Sequence, residues 1–273
     1  MPASDGSGYS GSGGGSPGDA PLLRGPDEIV NGVVCFSPHP DDAALSCGGW
    51  LALQAAQGRP AHVVTVFAAP TPPPEEWTPF ARELHRSWGE LLDPMAHRRA
   101  EDAEALHILG CKATWWDYRD AIYRHPNYDS RERLFGPPAE ERALEEELLE
   151  RCAVLPGERF LFPLAVGHHV DHQLLWRVGI RLARAGRPCA FYEDLPYAAW
   201  EGGPEARLQE LAGLWRSWVV DVTAYWPVKR AAVSCYVSQM AELSRPGLPL
   251  LDALESYAQT VFSGGYGERF WKP

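Results

Sequence analysis

Lysine is scarce in this chain. Only Lys112, Lys229 and Lys272 occur in 273 residues, and 25 basic side chains face 36 acidic ones for a net charge of −11. Without a basic surplus the sequence argues against nucleic acid and against an anionic membrane as partners, since both require a basic footprint. No apolar run approaches the roughly 18 residues of a membrane span. The first 20 residues are rich in Gly, Ser and Pro and lack a charged start and an apolar stretch, so they do not read as a secretory signal. The composition predicts a disordered leader over 1–25, a single domain over 26–273, and a cytoplasmic protein. Cysteine pairs are missing too. Cys35, Cys47, Cys111, Cys152, Cys189 and Cys235 are scattered with no CxxC spacing, which suits reduced, buried thiols better than a disulfide framework. A homo-oligomer is compatible with this composition.

Apolar residues make up 45% of the chain, ample for a core. Short apolar runs at 33–37, 61–69, 113–116, 159–163, 188–192 and 217–222 read as strands. Between them, helical periodicity covers 45–57, 97–110, 140–155 and 169–185, and a long helix is expected over 224–243. The stretch 70–79 holds five prolines and reads as a loop. Strands alternating with helices predict an α/β fold, Rossmann-like, with a mainly parallel sheet flanked by helices. In such sheets functional groups gather beyond the carboxyl ends of the strands.

Two polar clusters stand at such strand exits. Ser37-Pro38-His39-Pro40-Asp41-Asp42 follows the first strand, and His168-His169-Val170-Asp171-His172 follows the fourth. A catalytic zinc takes three protein ligands and leaves a position open. His39 and Asp42, three residues apart on a turn, suit one ion, and His172 is the natural third ligand. Iron, cobalt or nickel would accept the same N/O donors. Asp41 then serves as general base. His169, one helical turn before His172, is placed to donate to an oxyanion or to protonate a leaving nitrogen. Asp171 is expected to accept a hydrogen bond from His169 and tune it. Either cluster alone has a plainer reading, as a strand-end turn with a helix cap or as a helix-face histidine pair; their joint occurrence points to a mononuclear metal hydrolase. A nucleotide-binding regulator would instead need a Gly-rich loop directly after the first strand. His39 to Asp42 fill that place, and Gly48-Gly49 comes too late.

With these residues in view, the sequence resembles the LmbE-like (PIG-L) family of zinc-dependent N-acetylglucosaminyl deacetylases. The resemblance rests on His39-Pro40-Asp41-Asp42 with Ser46-Cys47-Gly48-Gly49, on His169-Val170-Asp171-His172, on Arg98-Arg99-Ala100-Glu101 and on the segment 117–124. It implies a Rossmann-like fold and amide hydrolysis, with zinc on His39, Asp42 and His172, Asp41 as base, and His169 with Asp171 as the acid or oxyanion pair. It also places Arg98 and Asp120 against sugar hydroxyls; read without it, they are a solvated helix face and a turn residue. Ala43 departs from the family, which often has Glu there, and suggests different substrate contacts. His168 either touches substrate or caps the helix.

The implied substrate is a small N-acetylated amino sugar or glycoside, on a secondary metabolite such as an antibiotic intermediate. The alternative within this chemistry is an amidase cutting a larger conjugate. Eleven Trp bear on the choice. Trp115 and Trp116 are expected in the core, whereas Trp77 and Trp88 fall in the 70–94 insertion, expected to form a lid over a bulky substrate. The C-terminal segment 263–273 either brings Tyr266 or Trp271 to the pocket rim or closes the core.

Overall fold

The computed structural model describes residues 32–89, 93–124, 126–211 and 213–273. The leader expected over 1–25 lies outside the described residues. Within them the chain builds one seven-stranded sheet in the order β3-β2-β1-β4-β5-β7-β6. The strands are β1 (Val33–Ser37), β2 (His62–Thr65), β3 (Lys112–Trp115), β4 (Arg159–Pro163), β5 (Cys189–Tyr192), β6 (Arg216–Asp221) and β7 (Gly267–Lys272). The first five run parallel, and β7 inserts antiparallel between β5 and β6. The fold is therefore α/β with a mostly parallel, mixed sheet. The run VVCFS of β1 is apolar throughout because this central strand is covered on both faces.

Helices α1 (Asp42–Ala56), α3 (Pro94–Ile108) and α9 (Trp226–Val233) pack together on one side. Their core contains Cys35, Leu51, Leu106, Leu161, Tyr236 and Phe270. The opposite core, around Phe36, Phe160, Phe162, Leu175, Val178 and Phe191, lies under α5 (Arg142–Ala153) and α6 (Val170–Arg184). Gly179 lets α6 approach closely, since a Cβ there would lie 2.7 Å from the Phe162 ring. The smaller elements are α2 (Pro79–Ser87), α4 (Arg131–Leu134), α7 (Tyr197–Glu201), α8 (Glu205–Glu210) and α10 (Leu250–Val261). All six cysteines are free.

Most expected elements appear within a few residues, with instructive exceptions. The first helix starts at Asp42, three residues early, so the Asp42 carboxylate lies in the first helical turn where the macrodipole favours it. The long helix expected over 224–243 ends at Val233. Beyond it, tertiary contacts outweigh helical propensity. Tyr236 donates its hydroxyl to Asp102, and Ser238 gives its N–H and its hydroxyl to Glu101. These tethers carry residues 234–243 across α3 toward the sheet's carboxyl edge. The C-terminal segment closes the core as β7: Tyr266 stacks on Trp226, and Trp271 donates to Glu193.

Candidate active site

The strand order reverses between β1 and β4, and the two polar clusters meet in the crevice at that point. The turn after β1 is held by its own short side chains. The Ser37 hydroxyl donates to the His39 carbonyl and accepts from Ala43 N–H, while Asp42 Oδ2 accepts from His39 N–H. Between them Asp41 takes φ 124°, a conformation an L-residue adopts only at a cost of about 1–3 kcal/mol. The two adjacent carboxylates meet different partners: Asp42 takes the His39 N–H, and Asp41 faces Arg98.

His39, Asp42 and His172 converge. Asp42 Oδ2 lies 3.2 Å from His39 Nδ1 and 3.3 Å from His172 Nε2, and the two ring centroids are 5.4 Å apart. Each imidazole is fixed from behind. His39 Nε2–H donates to Asp171 Oδ2 at 2.9 Å, and His172 Nδ1–H donates to Asp194 Oδ1 at 2.6 Å. The inner nitrogens then present lone pairs toward one carboxylate oxygen, an arrangement that needs a cation between them. His172 Nε2 is buried without a hydrogen-bond partner, which suits a nitrogen that binds a metal through its lone pair. Two imidazoles, one carboxylate and a carboxylate behind each histidine fit a divalent ion such as zinc. Burial opposes charge on His172, but Asp42 and Asp194 outweigh it and lift its pKa to about 9; His39 is raised likewise, against its burial, by Asp120 and Asp171. Any proton on these inner nitrogens therefore competes with the metal.

His169, the N-cap of α6, also brings a ring nitrogen within 4.8 Å of one on each of the other two histidines. Its Nδ1 accepts from the Asp171 N–H at 3.2 Å, so in the neutral ring Nε2 carries the proton. Burial and the neighbouring His39 hold its pKa well below the usual histidine value. His169 is therefore a neutral donor. The expected side-chain pairing of Asp171 with His169 does not form. Asp171 instead collects His39 Nε2–H, the Ala121 N–H and Arg124 Nη2, and so steadies the His39 ring. A second cluster, His39 with Asp120 and Asp171, is a poor cation site, because Arg124 and Arg98 already stand within 2.6 and 3.9 Å of its carboxylates.

Asp41 is pushed up to about 8 by burial and by Asp42, against the pull of Arg98. Arg98 Nη2 lies 3.4 Å from Asp41 Oδ2, and Arg98 Nη1 lies 3.9 Å from Asp120 Oδ2. Both Arg98 and Asp120 line the cavity, with the guanidinium over the Trp88 ring. His168 does not reach the cavity. Its left-handed backbone (φ 62°) turns the ring outward onto Glu210, and the cap position belongs to His169. Of the 70–94 insertion, Leu84 and Trp88 line the cavity, whereas Trp77 packs edge-on against His85. Trp116 is in the core, Trp115 donates to Asp102, and neither Tyr266 nor Trp271 borders the cavity.

Several wall residues escape sequence reasoning. Arg131 and Phe135 come from the irregular stretch after β3, Tyr197 and Trp200 from α7, and Gln239, Glu242 and Leu243 from the tethered segment after α9. Asp194 carried one usable signal, an acid at the carboxyl end of a strand.

A family model described as PIG-L, GlcNAc-PI de-N-acetylase, matches residues 34–183. The chain belongs to this family. It is 33% identical over 230 residues to a 2'-N-acetylparomamine deacetylase of Niallia circulans, covering 76% of this chain and 80% of that protein. Among solved structures, the A40926 pseudoaglycone deacetylase superposes with a TM-score of 0.71 at 32% identity, covering 88% of this chain and 95% of that one. A zinc-inhibited form of teicoplanin deacetylase superposes with a TM-score of 0.72 at 28% identity, covering 89% and 97%. The PIG-L resemblance, the α/β fold and the reading as a metal-dependent deacetylase are thereby borne out.

Proposed function

We propose that this chain is a cytoplasmic, zinc-dependent N-deacetylase that removes an acetyl group from an amino sugar of a glycosylated secondary metabolite, releasing acetate and a free amine. The observation that carries the reading is the convergence of His39, Asp42 and His172 beside the strained Asp41. The names of four relatives, two 2'-N-acetylparomamine deacetylases, a teicoplanin deacetylase and an A40926 pseudoaglycone deacetylase, support the substrate class. Free cysteines agree with a reducing compartment. No described helix is long and apolar enough to cross a membrane.

A divalent ion held by His39, Asp42 and His172 would supply Lewis acidity to the amide carbonyl and acidify water. The protein's own groups perform the proton work. Asp41 takes a proton from the attacking water as oxygen bonds to the carbonyl carbon. Arg98 orients Asp41 and keeps its anionic form accessible. His169 Nε2–H donates to the oxyanion that develops. Asp41 then delivers its proton to the departing nitrogen, the C–N bond breaks, and the base is restored.

The test is a zinc-supplemented assay on N-acetylated amino sugars and glycosides, followed by mass loss of one acetyl group. Asp41→Asn is expected to lower turnover by about 100-fold or more while metal stays bound. His172→Ala is expected to lose both metal and turnover. Purified protein that neither carries a divalent ion nor gains activity from one would sink the proposal.

A further inference from the structure

Arg131 and Glu242 meet at the wall of the active-site cavity, from parts of the chain 111 residues apart. Arg131 opens α4, and Glu242 lies on the tethered segment that Glu101 fastens to α3. Arg131 Nη2 donates to Glu242 Oε1 at 2.7 Å. The pair is lopsided. The Arg131 side chain is 55% exposed, while that of Glu242 is only 21% exposed. The carboxylate is part of the wall, and the guanidinium is a long, wet arm laid upon it.

The cavity's remaining charges sharpen the asymmetry. Asp41, Asp42 and Asp120 line its floor, and Arg98, the other cation on the wall, already faces Asp41 and Asp120. Arg131 has Glu242 as its one ion-pair partner among the described residues. A solvent-exposed ion pair of this kind contributes at most about 1 kcal/mol, so its partners exchange readily. An incoming ammonium could take Arg131's place on Glu242, and the net charge of −11 favours the approach of cations.

We infer that Glu242 is a specificity-determining residue: it receives a free ammonium group on the ring next to the N-acetylated sugar, and Arg131 is the cation that this ammonium displaces. The substrate class is then an aminoglycoside-like compound, acetylated on one amine and protonated on others. The inference rests on the deacetylase reading of the same site and goes beyond it in naming what is recognised outside the acetamido group.

The sign of the Arg131 effect separates a competitor from a substrate contact. The full chain, supplemented with zinc, is assayed on two glycosides of N-acetylglucosamine, one with a diaminocyclitol as aglycone and one with a neutral cyclitol of similar size. The readout is the ratio of kcat/KM, cationic over neutral. In Glu242→Gln the ratio should fall by about tenfold, through KM for the cationic glycoside. In Arg131→Gln it should rise, because the competing cation is gone. In the unaltered protein it should fall as NaCl goes from about 0.05 to about 0.5 M, a measurement that needs no variant to fold. A ratio near unity, a ratio indifferent to Glu242→Gln or to salt, or a fall in Arg131→Gln would each overturn the inference. Turnover of neither glycoside by the unaltered protein would instead remove the deacetylase reading itself, and this inference with it.

Discussion

Asp194 shows what a single residue contributes behind His172, a ligand in the proposed metal site. It is 1% exposed at the end of β5, takes the His172 Nδ1–H on one oxygen and accepts the Val166 N–H on the other. The first bond fixes the tautomer that leaves Nε2 free to coordinate; the second fixes the carboxylate. In Asp194→Asn one of the two acceptor oxygens becomes an NH2 group facing a donor. Affinity for the divalent ion should drop by about 10–100-fold, as read by competition with a chelator, while circular dichroism shows the fold retained. Unchanged affinity would mean that His172 is oriented by packing alone. At this scale the sequence is legible where chemistry and spacing coincide. His39, Asp42 and His172 stand out because few other roles explain such groups at strand exits. Asp194 and Arg124 do not, because a carboxylate or guanidinium that acts through another side chain leaves no spacing signature. Asp171 was legible as important but not in its role, since which histidine it grips depends on how α6 meets the turn after β1.

Among the elements, apolar runs located the central strands because parallel strands covered on both faces carry no other pattern. The elements at the sheet's edge were harder. β7 reads GERFWK, polar at its start, and becomes a strand only because β5 and β6 offer it two ladders. The segment after Val233 has a helical pattern, but local propensity is blind to Asp102 and Glu101, which pull it off course. β2 supplies a test of pH linkage outside the candidate site. His62 is buried, its Nε2 bonded to the Thr114 hydroxyl, and burial followed by the nearby Lys112 lowers its pKa to about 4. The unfolded chain takes up this proton near pH 6.5 and the folded one only near 4. The stability tied to His62 is therefore complete above the unfolded pKa and is lost progressively as pH falls from about 6.5 toward 4. Between about pH 7 and pH 5 the loss from this group should be about 2 kcal/mol. His62→Val should flatten the decline in urea-unfolding stability by that amount. A decline of the same steepness in the variant would show that other groups carry it.

On the scale of the whole molecule, the catalytic turn is only as steady as the helix it opens, and α1 is anchored at the far side by β7. Gly49 packs so tightly that an added Cβ would lie 2.8 Å from Val222. There Glu268 of β7 accepts the Gly49 and Trp50 N–H groups and pairs with Lys229 of α9 at 2.7 Å, with both side chains almost fully buried. One carboxylate thus joins the sheet, the helix that carries Asp42 and the helix that leads to the Glu242 segment. Breaking such a pair from one side strands a charge in the interior, whereas removing both charges need not destabilise. Glu268→Ala should cost about 3–5 kcal/mol, by chemical denaturation, because it leaves the Lys229 ammonium and two N–H groups without an acceptor. Lys229→Met combined with Glu268→Gln removes the charge and keeps an amide oxygen for Gly49, and should recover more than half of that loss. If the double variant is as unstable as Glu268→Ala, the damage comes not from the stranded ammonium but from the loss of a carboxylate that accepts from Gly49 and Trp50 together. In that case β7 holds α1 through both oxygens of its carboxylate, and the steadiness of the turn that opens α1 rests on two hydrogen bonds.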